Sequence, residues 1–149
     1  MKTRINMMRN KNSSESKLLV EIFNFIKKET ILSEAAENEI ISAFSSRGEK
    51  AVRILKEKKL LKLVLTEEIE LWEVEGTRKN YLVIDNNFCE CKDFQIRSLS
   101  RGTNIMCYHL LAKMIGEKIG SYVERTVKSE DYGLLLKKII NDKENKVKK

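Results

Sequence analysis

The chain has 149 residues, 42% of them hydrophobic and 34% charged, which excludes an intrinsically disordered protein and fits a single hydrophobic core. No apolar run approaches the ~18 residues of a membrane span, and Met1 to Asn10 hold no apolar stretch of the kind a secretory leader needs, so the expectation is an intracellular protein, cytoplasmic in a prokaryote and nuclear in a eukaryote. The net charge of +7 resides at the ends: Lys2, Arg4, Arg9 and Lys11 stand without an acid in residues 1–12, six lysines face Asp142 and Glu144 in residues 137–149, and the stretch between nets −1.

In chain order, residues 1–14 read as a basic disordered tail that either solvates the end or binds phosphate without reading sequence. From Glu15 to Glu29, Leu18, Leu19, Ile22, Phe23 and Ile26 recur at the spacing of an amphipathic helix. A second helix follows Ser33, with Ile40, Ile41 and Phe44 on its apolar face. Ser46 and Glu49 have the spacing of a capping box, which opens a third helix carrying Val52, Ile54 and Leu55. After Lys59 the period shortens to that of strands. Leu61, Leu63 and Leu65 mark the first, and Ile69 and Leu71 the second. Trp72 and Val74 slip out of phase in the second strand, so it requires either a bulge near Leu71 and Trp72 or cover on both faces. Tyr81-Leu82-Val83-Ile84 forms a third strand before the turn residues Asp85-Asn86-Asn87. A helix from about Cys107 to Lys118, broken by Gly116 and Gly120, and a last helix after Ser129 with Leu134, Leu135, Leu136, Ile139 and Ile140 complete the chain.

The predicted fold is α+β: N-terminal helices, a three-stranded antiparallel β-meander, and a CxC…CxH zinc finger leading into C-terminal helices. It divides into a tail over residues 1–14, one domain over 15–142 with the finger at about 81–120, and a basic tail over 143–149.

All three cysteines and the one histidine fall between Cys89 and His109, as Cys89-x-Cys91, fifteen residues, then Cys107-x-His109. Three thiolates and one imidazole are the complement of a closed tetrahedral zinc site. Residues i and i+2 point about 200° apart on a helix but to one side of a strand. Cys89 and Cys91 are therefore expected in extended chain at the end of the third strand, Cys107 just before the next helix or in its irregular start, and His109 in its first turn. Disulfide pairing leaves one cysteine over, a Cys107–His109 nucleophilic pair is disfavoured by the same spacing, and catalytic zinc needs an open position that four protein ligands close. The expectation is one structural Zn2+ on Cys89, Cys91, Cys107 and His109, and no enzymatic activity.

Phe88-Cys89-Glu90-Cys91-Lys92-Asp93-Phe94 followed by Ile105-Met106-Cys107-Tyr108-His109-Leu110-Leu111-Ala112 resembles the SWIM zinc finger. Many such fingers place a proline directly after the second cysteine, where this chain has Lys92. With the upstream stretch Phe44-Ser45-Ser46-Arg47-Gly48-Glu49-Lys50-Ala51, the chain is similar over roughly residues 38–120 to the short, free-standing SWIM proteins of the Sws/Shu type. That resemblance implies a non-enzymatic partner of RecA-family recombinase paralogues, acting in homologous recombination and DNA repair by supporting the filament on single-stranded DNA. No GxxxxGK[S/T] occurs, so an ATP-driven step belongs to a partner. Candidate docking surfaces are the exposed parts of the finger helix and the terminal helix with Leu134, Leu135, Leu136, Ile139 and Ile140, although burial of the terminal helix in the protein's own core is the favoured reading of that helix. The alternative is direct DNA or RNA binding, with Lys92, Arg97, Arg101, Lys113 and Lys118 as nucleic-acid contacts. Five glutamates between Glu67 and Glu75 and a shortage of stacking aromatics speak against it, and Phe94 reads as packing beside the metal.

Overall fold

A computed structural model describes residues 11–26, 32–96, 106–135 and 137. Three helices come first: α1 (Lys11–Phe25), α2 (Glu34–Phe44) and α3 (Ser46–Lys56). The strands β1 (Leu60–Val64), β2 (Glu70–Glu75), β3 (Asn80–Ile84) and β4 (Phe88–Cys89) follow, then a single turn α4 (Lys92–Phe94), the helix α5 (Tyr108–Ile119), the strand β5 (Val123–Thr126) and a 3-10 turn at Ser129–Asp131. Among the described residues no helix is long and apolar enough to cross a membrane.

The α+β class is as expected, but the sheet is larger than a three-stranded meander. It has five strands in the order β4-β3-β2-β1-β5; the first four pair antiparallel, and β5 lies parallel to β1. Both additions lack a sequence signature for a physical reason. β4 is two residues long, too short for a period, and every residue of β5 is exposed. Its Val-Glu-Arg-Thr is held by backbone pairing with β1, in register from Leu61↔Val123 to Val64↔Thr126, and continued by Val127 N–H donating to the Val64 carbonyl at 2.9 Å. The phase slip at Trp72 is not a bulge, because pairing with β1 runs without interruption from Leu60↔Val74 to Val64↔Glu70. Instead β2 is covered on both faces: Trp72, Glu73 and Val74 are all buried, although alternate residues face opposite sides.

One sheet face, carrying Leu60, Trp72, Val74, Val83 and Cys89, joins a core built with α5 and the N-terminal helices. The opposite face buries Leu61, Leu63 and Leu82. α1 contributes Leu19 and Ile22 to the core, and Ile26 just after it, with Leu18 and Phe23 at its margin. It begins at Lys11 rather than at Glu15, so the segment read as a tail is partly helical; residues 1–10 and 138–149, with Ile139 and Ile140, lie outside the described residues. After the turn at Ser129–Asp131 the chain is helical at residues 132–135, with Leu134 68% exposed and the Tyr132 hydroxyl donating to the Leu65 carbonyl.

α2 follows Ser33 as expected, and the Ser33 hydroxyl caps it by accepting from Ala36 N–H at 3.2 Å, an interaction worth about 1 kcal/mol. The capping box at Ser46 does not form. Ser46 is already helical, and Ser45, at φ 57°, is the single residue joining α2 to α3, without a side-chain cap. The reason is the closeness of the two helices: a Cβ on Gly48 would lie 2.5 Å from the Ile40 carbonyl oxygen. Gly116 does not break α5 but packs inside it against Leu60 and Leu55; the helix ends at Gly120, in the left-handed region at φ 79°.

Gly48→Ala is predicted to destabilise the protein by roughly 1–3 kcal/mol, since the obstructing atoms are backbone. Gly133→Ala, whose Cβ meets nothing within 4 Å, is predicted to be neutral or slightly stabilising. Thermal unfolding followed by circular dichroism checks both, and equal effects at the two positions would remove the helix-contact explanation.

Candidate metal centre

The four donors arrive from three elements. Cys89 ends β4, Cys91 caps α4 in extended conformation (φ −74°, ψ 158°), Cys107 caps α5 (φ −78°, ψ 168°), and His109 is the second residue of that helix. The CxH half is placed as the spacing predicts. In the CxC half only Cys89 lies in a strand, Cys91 having already left it. All four side chains are buried, and their ligand atoms lie within 4.8 Å of one another. Cys89 Sγ is 3.7 Å from His109 Nδ1. Bond lengths typical of tetrahedral zinc give edges of about 3.8 Å between sulfurs and about 3.5 Å between sulfur and nitrogen. The Cys3His cluster is thus compatible with a metal site.

Its electrostatics point the same way. Contacts with Cys107 and Cys89 hold the Cys91 thiol far below its ordinary value, and Cys91 Sγ also accepts from Phe94 N–H at 3.3 Å. Contacts with Cys107 and Cys91, together with burial, push Cys89 strongly up. Cys107 is lowered by Cys89 but raised more by Cys91 and burial, and ends up at about 12. One thiolate shared by two thiols is what a buried pocket tolerates without a cation, because a second negative charge would face the first across a few ångströms of low-dielectric interior.

The imidazole is sealed by aromatic rings. Tyr81 stacks on His109 with centroids 4.7 Å apart and planes 27° apart, and Tyr108 lies at 4.2 Å. Lys79 and Lys50 sit over the outer rings, at 5.6 Å and 5.1 Å. Three thiolates about a divalent ion would leave one net negative charge, which these ammonium groups and the N-terminus of α5 partly offset. Beside the rings opens a cleft of about 250 Å3 whose lining includes Arg53, Tyr81, Tyr108 and His109.

Two further residues support the site without being donors. Arg47 Nη1 donates to the Met106 carbonyl at 2.7 Å, fixing the chain just before Cys107 to the start of α3. Lys113 is only 3% exposed; its ammonium donates to Asn86 Oδ1 at 2.9 Å and Glu117 Oε1 at 2.8 Å, above the Trp72 ring. It ties α5 to the β3–β4 turn. Lys113, one of the expected nucleic-acid contacts, thus has its charge engaged inside the fold. A lysine within the apolar run Leu110–Ile115, four residues before Glu117, was the available signal. Lys92 and Lys118 are exposed, the latter over the Phe23 ring, while Arg97 and Arg101 lie outside the described residues. Phe94 packs edge-on against Phe88 at 5.6 Å, buried as expected.

Compared with family models, curated proteins and solved structures, the chain finds no match.

The raised thiols yield a pH prediction. At pH 7 Cys89 and Cys107 hold protons that a metal must displace, so uptake is predicted to release about two protons per ion, with affinity falling as pH falls. Calorimetry in buffers of different ionisation enthalpy measures that number; zero release would mean that the thiols are not the ligands.

Proposed function

We propose that this chain is a zinc-stabilised, non-enzymatic module of the SWIM type that binds a RecA-family recombinase paralogue and supports homologous recombination. The observation that carries the metal part of this reading is the burial of Cys89, Cys91, Cys107 and His109 within 4.8 Å of one another. Thiolate and imidazole donors in that ratio favour Zn2+ over harder ions that prefer oxygen. With all four positions filled by protein, the ion has no site for a water nucleophile, and its role is to hold the fold.

The partner class comes from the resemblance of the finger and of the stretch from Phe44 to Ala51. Two features of the surface support a protein partner. The cleft beside the metal centre has a tyrosine- and arginine-bearing lining with mixed charge, including Glu57 and Glu75 as well as Lys50 and Lys59; tyrosine and arginine are enriched where protein interfaces concentrate their binding energy. Leu134 is the most exposed large hydrophobic residue described. The finger helix itself is a poor docking surface, because α5 buries His109, Leu110, Leu111, Ala112, Lys113, Ile115, Gly116 and Ile119.

Two measurements test the reading. Cys91→Ser and His109→Ala are predicted to lose zinc and stability together, by several kcal/mol since structural zinc contributes on the order of 10 kcal/mol to folding; metal analysis beside thermal unfolding reads both, and a metal-free variant of normal stability would contradict structural zinc. A tagged pull-down from native lysate, with and without nuclease, is predicted to recover a RecA-family ATPase in near-equal amount under both conditions. Recovery that disappears with nuclease would replace the partner reading with direct nucleic-acid binding.

A further inference from the structure

Glu90, the residue between the two cysteines of the CxC pair, is 6% exposed and does work that a spacer does not. β3 and β4 pair at Val83↔Cys89 and Ile84↔Phe88, and the next rung would join Leu82 to Glu90 through two backbone hydrogen bonds. One of these is present, Glu90 N–H donating to the Leu82 carbonyl at 3.0 Å. The other is replaced. Leu82 N–H donates to the Glu90 carboxylate, Oε1, at 2.7 Å, and the Glu90 carbonyl turns away to accept from Gln95 Nε2 at 3.2 Å. The side chain completes the ladder while the backbone leaves it, so the chain can bend immediately after Cys89 without orphaning a buried N–H. That bend makes Cys91 the cap of α4 rather than the next strand residue, with Sγ turned to Phe94 N–H.

The same carboxylate reaches the other half of the site. Its second oxygen, Oε2, pairs with Lys79 Nζ at 3.7 Å, Lys79 lies over Tyr81, and Tyr81 stacks on His109. We propose that Glu90 is a positioning residue for the metal centre: its carboxylate stands in for a backbone carbonyl at the end of β3 and thereby sets the approach of Cys91 to Cys89. This rests on the metal reading above and adds to it a residue that ligates nothing.

The test uses full-length protein stripped of metal, titrated with Zn2+ against a chelator of known affinity and with Co2+ followed by its visible absorption. Glu90→Ala is expected to weaken Zn2+ binding roughly 10–100-fold, the range for loss of a group that orients metal ligands, and to alter the Co2+ spectrum. Glu90→Gln keeps an acceptor for Leu82 N–H and is expected to recover most of the affinity. Glu73→Ala removes a carboxylate of like burial that accepts from Asn80, and is expected to lower thermal stability while leaving Zn2+ affinity unchanged. Should Glu90→Ala not fold, Glu90→Asp carries the test, since its shorter reach is expected to weaken binding more than Glu90→Gln does. Wild-type affinity in Glu90→Ala, or an equal loss in Glu73→Ala, overturns the positioning role with the metal reading intact. A wild-type protein that binds neither ion overturns the metal reading and this inference with it.

Discussion

Three thiols and an imidazole sealed from water pose a charge problem to which much of this architecture answers. Mutual contacts and burial push the thiols apart in acidity, Cys91 down and Cys89 and Cys107 up. A divalent cation would make the arrangement attractive, since every sulfur would then face positive charge. Structural zinc contributes on the order of 10 kcal/mol to folding, as much as the whole net stability of an ordinary domain at about 5–15 kcal/mol. With such an ion bound, as proposed, the centre would act as a cross-link between the last strands of the sheet and the first turn of α5.

That helix is the element such a cross-link would govern most. α5 is buried on nearly every side, which leaves it no polar face to direct its own orientation. Its N-terminus is set by Cys107 and His109, and by Arg47 holding the Met106 carbonyl. Its middle is set by Lys113, which reaches Asn86 in the β3–β4 turn, and by Gly116, whose missing side chain lets Leu60 and Leu55 come close. Burying an ammonium is costly unless its donors are satisfied, and here Asn86 and Glu117 both accept from it.

What the sequence revealed and what it concealed follow from how far apart the cooperating groups lie. The amphipathic helices were legible because their period is local, and so was the Cys3His cluster, because its four side chains fall within one short stretch. β5 was not, since Val123 to Thr126 are all exposed and join the sheet through backbone groups that every residue shares. The capping box at Ser46 misled because serine and glutamate at that spacing say nothing of Gly48, which brings α3 against Ile40 and leaves one residue for the link. Lys113 looked like a surface cation because charge counting along a chain cannot see the Asn86 and Glu117 that enclose it. Glu90 was the least legible. Its importance lies in replacing one particular carbonyl in a ladder whose register becomes visible only in three dimensions.

Two stretches apart in sequence, residues 44–51 and the CxH segment, meet beside the Cys3His cluster. Arg47 grips the residue before Cys107, and Lys50 lies over Tyr108, which in turn lies on His109. The helix pair and the finger thus form one unit, and the stretch from Phe44 to Ala51 is part of the metal centre's wall. Tyr81 and Tyr108 belong to both the centre and the neighbouring cleft, since each packs on the ligand imidazole and lines the cleft beside Arg53. Under the proposed function, a partner seated in that cleft would touch rings whose positions depend on where His109 is held. A non-catalytic ion buried in the core would in this way still govern recognition at the surface, by fixing the shape of the wall that the partner meets.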